Sequence, residues 1–144
     1  MIPQDITSAV RLLLDREEEA WNRGGAAAYA AGFIGDCWAT NIRGEILDGL
    51  QPFILRHEQI FSGLFRGSRL KLDIVRLRLL DDHVALVETD CRLSGFLALP
   101  PGVQPSPEGP LLTRLLQVLV RRDGQWRVAV YHNIDVKPQT AQPR

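Results

Sequence analysis

The chain predicts an α+β roll: three N-terminal helices packed on one curved, mainly antiparallel sheet. Two observations carry this. Apolar residues recur with a helical period as far as Phe65 and with a period of two after it. The last third is the clearest part. Leu111–Arg122 reads as a long apolar strand, Asp123-Gly124 as a hairpin turn, and Trp126–Val136 as a second strand. Helices first and strands last is the pattern of an α+β domain. A sheet curled around helices leaves a cone-shaped cavity in which a small molecule can sit.

Each element has its own reason. Ile6, Val10, Leu13, Leu14 and Trp21 share a helical stripe, opposite Arg11, Asp15, Arg16, Glu18 and Glu19, which predicts a first helix from Gln4 to Asn22. Gly24-Gly25 stops it. Ala26–Phe33 predicts a short Ala-rich helix ending near Gly35. Cys37–Ile42 and Glu45–Asp48 flank Arg43-Gly44 as a short hairpin. Leu50–Phe65 predicts the third helix, with Phe53, Ile54, His57, Ile60, Phe61, Leu64 and Phe65 on one face and Pro52 in its first turn. Arg69–Leu80 and Val84–Ser94 read as strands around an Asp81-Asp82 turn. Pro100–Pro110 holds five of the nine prolines and two glycines, and reads as a surface loop near the cavity mouth or a dimer edge. Residues 1–136 read as one domain and Lys137–Arg144 as a polar tail.

Composition excludes several classes. At 144 residues the chain can bury a proper core. Seventeen basic and seventeen acidic side chains cancel, whereas a nucleic-acid binder needs a basic field. No apolar run reaches the length of a membrane span, and the N-terminus lacks the basic and apolar regions of a secretory signal. Cys37 and Cys91 form no CxxC, so reduced core cysteines and a cytoplasmic setting are expected. Three scattered histidines make no metal motif, and no glycine-rich phosphate or dinucleotide loop is present. No metal and no cofactor are expected.

Several stretches resemble a known family. They are Ala20-Trp21-Asn22, Tyr29-Ala30-Ala31-Gly32-Phe33, Gly49 to Phe61 with His57-Glu58-Gln59-Ile60-Phe61, Gly67-Ser68-Arg69-Leu70, Val118 to Val128, and His132-Asn133. Together they resemble the SnoaL-like branch of the nuclear transport factor 2-like superfamily, and within it the SgcJ/EcaC-family proteins. The resemblance implies a cystatin-like α+β barrel with a ligand pocket. It implies no single activity, because the fold hosts isomerases, cyclases, dehydratases and non-enzymes. On the pattern of its steroid isomerases, Asn41 falls at the position of the base, Gln117 at that of the buried acid and Glu17 at that of the tyrosine. An amide cannot act as a base, so those residues do not reproduce that chemistry.

Glu88-Thr89-Asp90-Cys91-Arg92 is the sharpest charged feature. Alternation puts Glu88, Asp90 and Arg92 on one strand face. They are either a solvated outer face, paired with Arg76 and Arg78 across strands, or a cavity wall, where the resemblance places them. On the second reading Glu88 and Asp90 are the candidate catalytic carboxylates. The candidate ligand-binding residues are Trp21, Asn41, His57, Phe61, Arg92, Gln117, Tyr131 and Asn133. His57 reads either as a satisfied core histidine or as a ligand or acid–base group. The expected ligand is small and apolar, of polyketide-like or steroid-like kind, met by an enzyme of isomerase, cyclase or dehydratase type, by a non-catalytic carrier, or by an association module. Trp126, Val128, Val130, His132 and Ile134 alternate onto one face of the last strand. With Leu112, Leu116, Val118 and Val120 they predict a homodimer through the outer sheet face.

Overall fold

A computed structural model describes residues 4–137. Three helices lie against one six-stranded sheet: α1 (Gln4–Asn22), α2 (Ala26–Tyr29), β1 (Phe33–Thr40), β2 (Ile46–Asp48), α3 (Leu50–Ser62), β3 (Arg69–Asp81), β4 (Val84–Ser94), β5 (Leu111–Arg122) and β6 (Gln125–Asp135). The strand order is β2-β1-β6-β5-β4-β3, antiparallel throughout except where β1 runs parallel to β6. This is the expected α+β roll. The predicted tail beyond Lys137 lies outside the described residues.

The core fills the space between the helices and one sheet face. That face is built from Cys37 and Ala39 of β1, Ala85, Val87, Cys91 and Leu93 of β4, Leu111, Leu115 and Leu119 of β5, and Val128 and Tyr131 of β6. Ile6, Val10 and Leu14 of α1 and Phe53 of α3 close it from the helix side. The β5–β6 hairpin turns at Asp123 (φ 52°) and Gly124 (φ 74°), two successive positive φ angles that match strand twist.

Side chains of α1 guard the exposed edge of the sheet. Asn22 Oδ1 accepts from Leu70 N at 2.6 Å, its Nδ2 donates to Leu70 O at 3.2 Å, and Glu18 Oε2 accepts from Leu72 N at 2.9 Å. β3 is the edge strand on that side, so these bonds occupy backbone groups that would otherwise template pairing with another chain.

Three expectations are corrected. The second helix is a single turn, and Phe33 already begins β1, because Gly32 and the β1–β6 pairing pull the chain out of the helix. The third helix ends at Ser62 rather than Phe65. The register of β6 shifts between Val128 and Val130, opposite Val118 and Leu119, which leaves Ala129 as a bulge. The bulge splits the predicted stripe: Val128 is fully buried on the inner face, while Ile134 stays 61% exposed on the outer one. His132 is exposed there too.

Gly49 positions α3. It holds φ 102°, ψ 165°, a conformation closed to side-chain-bearing residues, and its N–H donates to Cys37 O at 2.8 Å. The first turn of α3 is thereby fixed against β1, and the helix lays Phe53 and His57 over the sheet.

Candidate functional site

Helix α3, the β1–β2 turn and the inner faces of β4–β6 enclose a cavity of about 100 Å³. An enclosed volume of roughly 150 Å³ holds a benzene-sized ring, so the interior is about a third short of that, and a ring would need the side where the cavity opens to the surface at the exposed Arg43. Its deep end is aromatic: Trp21, Tyr29, Phe53, His57 and Tyr131. Its outer end carries Asn41, Arg43, Arg56, Asn133 and Pro100. Pro100 brings the Pro-rich loop to the mouth, and Val103 anchors that loop in the core.

The deep end holds a hydroxyl pair. Tyr29 and Tyr131 Oη atoms lie 2.7 Å apart, both buried. One hydroxyl donates to the other, and among the described residues neither has a further hydrogen-bond partner. The pair therefore keeps one O–H hydrogen to offer. Desolvation raises both phenols well above their ordinary range, so they remain neutral donors.

His57 supplies the complementary group. Its ring packs 4.2 Å from Phe53 and 5.0 Å from Tyr29, measured between centroids. Burial pushes its pKa down to about 4, against the raising effect of its bond to the Phe53 carbonyl. That carbonyl, 2.8 Å from Nδ1, can only accept, so Nδ1 carries the hydrogen and Nε2 keeps its lone pair. The cavity thus presents one neutral acceptor and one spare phenol donor. Cys91 adds no nucleophile, because burial pushes its thiol up to about 11.

Trp21, Asn41, His57, Tyr131 and Asn133 line this cavity. Trp21 donates Nε1–H to Ser68 Oγ at 3.0 Å, which leaves its ring as wall. The Asn41 side chain is consumed by its own turn. Its Oδ1 accepts from the backbone N–H groups of Arg43 and Glu45, and its Nδ2 donates to Glu45 Oε1 at 2.9 Å. Asn133 Oδ1 is buried without a partner. Phe61 stands behind Trp21, edge-on at 4.8 Å, away from the lining.

Gln117 is fully buried but belongs to a different feature. Its Nε2 donates to Glu17 Oε1 at 2.9 Å, while Glu17 Oε2 and Gln117 Oε1 have no partner. Desolvation raises Glu17 to about 8, only partly offset by the Gln117 bond, so the acid is neutral at pH 7. A proton on Oε2 would satisfy both orphaned acceptors at once.

The charged strand cluster faces away from the cavity, which corrects its expected place on the wall. Val87, Thr89, Cys91 and Leu93 are the inward residues of β4, so Glu88, Asp90 and Arg92 occupy the outer face. Arg76 pairs with Glu88, and Arg114 Nε donates to Asp90 Oδ1 at 2.8 Å. Four apolar or neutral side chains fit the core better than three charges, and that decides the face.

Sequence reasoning missed Tyr29, Arg43 and Arg56; it named Glu17 and Gln117 on a family pattern but not their bond to one another. Glu17 left a signal: it falls seven residues after Val10 and four before Trp21, a carboxylate on the apolar stripe of α1. Tyr29 left less, being one aromatic in an Ala-rich turn.

No family profile and no curated protein sequence matches the chain. Solved structures match in fold. A domain of unknown function with a cystatin-like fold from Nostoc punctiforme superposes with a TM-score of 0.77 at 24% identity, covering 95% of this chain and 81% of that one. A nuclear transport factor 2-like protein of unknown function from Shewanella oneidensis gives 0.72 at 21%, covering 90% and 98%. A protein of Novosphingobium aromaticivorans, provisionally named a scytalone dehydratase, gives 0.74 at 17%, covering 96% and 89%. The chain shares the nuclear transport factor 2-like, cystatin-like fold with these proteins.

Proposed function

We propose that the chain is a small-molecule pocket protein that moves a proton on a cyclic, largely apolar ligand carrying a carbonyl or hydroxyl. One observation carries this reading: the Tyr29–Tyr131 pair, with its spare phenol hydrogen, and neutral His57, with its free Nε2, line the same aromatic cavity, the Tyr29 and His57 rings 5.0 Å apart. His57 accepts a proton from the carbon next to the ligand carbonyl; the burial that keeps it neutral also weakens it as a base, so the transfer depends on stabilising the charge left on the ligand. The spare O–H donates to the carbonyl oxygen as negative charge builds on it. Trp21 and Phe53 surround both groups with apolar aromatic walls, and the low local polarity strengthens both interactions.

The catalytic part that the sequence gives to Glu88 and Asp90 as candidates passes to His57, since those carboxylates lie on the other sheet face. Membership of the SnoaL-like branch, and of its SgcJ/EcaC group, is part of the same reading. So is a homodimer through the outer sheet face, where Trp38 and Ile134 are 66% and 61% exposed. The proposed setting is the cytoplasm, in keeping with two buried free thiols, Cys37 and Cys91. Among the described residues no helix is long and apolar enough to cross a membrane.

A carrier that binds without turnover is the second reading. It is favoured by the cavity lining, which among the described residues holds no carboxylate. Incubating the protein with cyclohexanone in heavy water separates the two. Proton transfer predicts faster deuteration next to the carbonyl, reduced in His57→Gln and in Tyr131→Phe. Binding without accelerated deuteration selects the carrier, and no binding at all overturns both.

A further inference from the structure

The mouth of the cavity differs in character from its depth. Arg56 directly precedes His57 on α3, and both line the cavity. The Arg56 guanidinium is partly used. One terminal nitrogen donates to Glu45 Oε1 at 2.8 Å and the other to Gln59 Oε1 at 3.3 Å. Its Nε–H is buried and has no partner. A buried donor left unpaired is costly, so native structures rarely keep one without a use. Asn133 Oδ1, from β6 on the same lining, is the second buried polar atom there without a partner.

Charge points the same way. Arg43 also lines the cavity, is exposed, and stands two residues from Glu45 on the β1–β2 turn. Two guanidiniums face one carboxylate, so the mouth keeps a net positive charge. Glu45 is held ionised by Asn41 and then by Arg56, so it neutralises only one of the two. A guanidinium edge made of Nε–H and a terminal N–H matches the two oxygens of a carboxylate.

Resting on the pocket reading above, we propose that the ligand bears a carboxylate, which Arg56 binds at the cavity mouth with Arg43 beside it, while its ring enters the aromatic depth. The ligand class is a one-ring compound that carries a carboxylate in addition to its ring carbonyl or hydroxyl, rather than a large polycycle. The Asn133 amide, free to present either its oxygen or its nitrogen, meets the polar edge of the same group.

Benzoate and benzamide test this, since they share a ring and differ in charge. Each is titrated into the full chain while the Arg56 Nε–H resonance is followed by nitrogen-correlated NMR. Benzoate is expected to bind about tenfold or more tightly than benzamide, the factor for one charge-assisted pair, and to shift that resonance. Raising salt should shrink the preference. Arg56→Gln should bring the ratio close to one. Arg56→Lys, which keeps the charge and loses the fork, should leave part of it, and this second variant guards against a fold defect from losing the Glu45 pair. Equal binding of the two probes, or a preference that survives both Arg56→Gln and Arg43→Ala, overturns the proposal and leaves the pocket reading standing. Failure of both probes to bind overturns the proposal and the pocket reading with it.

Discussion

Replacing Glu17 with glutamine should change how stability depends on pH. In the folded chain Glu17 is 4% exposed and titrates near 8; its ordinary value is 4.5. Burial is the main cause, and the Gln117 bond opposes it only in part. The folded state therefore holds a proton that the unfolded chain releases between pH 4.5 and 8. Folding stability falls as pH rises through that window, at about 1.4 kcal/mol per pH unit. Over the interval the loss approaches about 5 kcal/mol, an upper figure because the site can relax or admit water. Glutamine at this position has no proton to lose. It can also satisfy both orphaned acceptors, because its own N–H can reach Gln117 Oε1 while Gln117 Nε2 keeps its present bond. Wild type and Glu17→Gln should match near pH 4.5 and diverge steadily towards pH 8, where the variant is more stable by several kcal/mol. For a chain of this length that is about 10 °C or more in melting temperature. Urea unfolding followed by circular dichroism at pH 5, 6.5 and 8 reads the difference directly. Parallel pH curves for the two proteins would refute the neutral-acid account, as would a variant less stable at every pH.

Three further outcomes follow from the same geometry. His57 titrates near 4 folded against 6.5 ordinarily, so the unfolded chain binds more protons in between and stability is lost as pH falls through that window, by about 3 kcal/mol; His57→Gln should flatten this acid limb in the same urea series. Tyr131→Phe leaves the Tyr29 hydroxyl buried without its partner and should cost about 1–3 kcal/mol, and a double-mutant cycle with Tyr29→Phe should show the two losses to be strongly non-additive. Glu88→Gln and Asp90→Asn each remove an outer-face ion pair, so each should shift stability by less than about 1 kcal/mol and leave ligand binding and turnover unchanged; a loss of turnover in either would return catalysis to the strand cluster.

Much of the fold was legible because period alone specifies it. The stripe Ile6, Val10, Leu14 and Trp21 needs a helix, and Leu111 to Leu119 at every second residue needs a strand with one buried face. What period could not reveal is a break in itself. Ala129 inserts one residue into β6, and beyond it the inward and outward assignments exchange. The second helix is shorter than its sequence predicts because Ala-rich sequence favours helix locally, while pairing of Phe33 with Val128 on β6 overrides that preference. The face of β4 was legible in principle. Val87, Thr89, Cys91 and Leu93 mark the buried side, and only the family resemblance puts the charged side on the cavity wall, against the strand's own alternation.

The site was legible only in part, since its residues meet from distant segments. His57 announced itself as a polar residue on an apolar face. The Tyr29–Tyr131 contact spans 102 positions and the Glu17–Gln117 contact spans 100, and no local pattern reports such pairs. Asn41 looked like a ligand group because of its place in a family pattern, yet the turn it sits in uses both ends of its amide.

The account rests on the aromatic cavity being where a small cyclic ligand binds. Nitrogen-correlated NMR of the protein titrated with benzoate and with cyclohexanone tests that most directly. The account predicts shifts concentrated at the indole N–H of Trp21, the imidazole nitrogens of His57, and the backbone amides of Tyr29 and Tyr131, with saturation at a single affinity for each probe. Shifts confined to the outer sheet face around Glu88, Asp90 and Ile134, or no saturable shift with either probe, would contradict it.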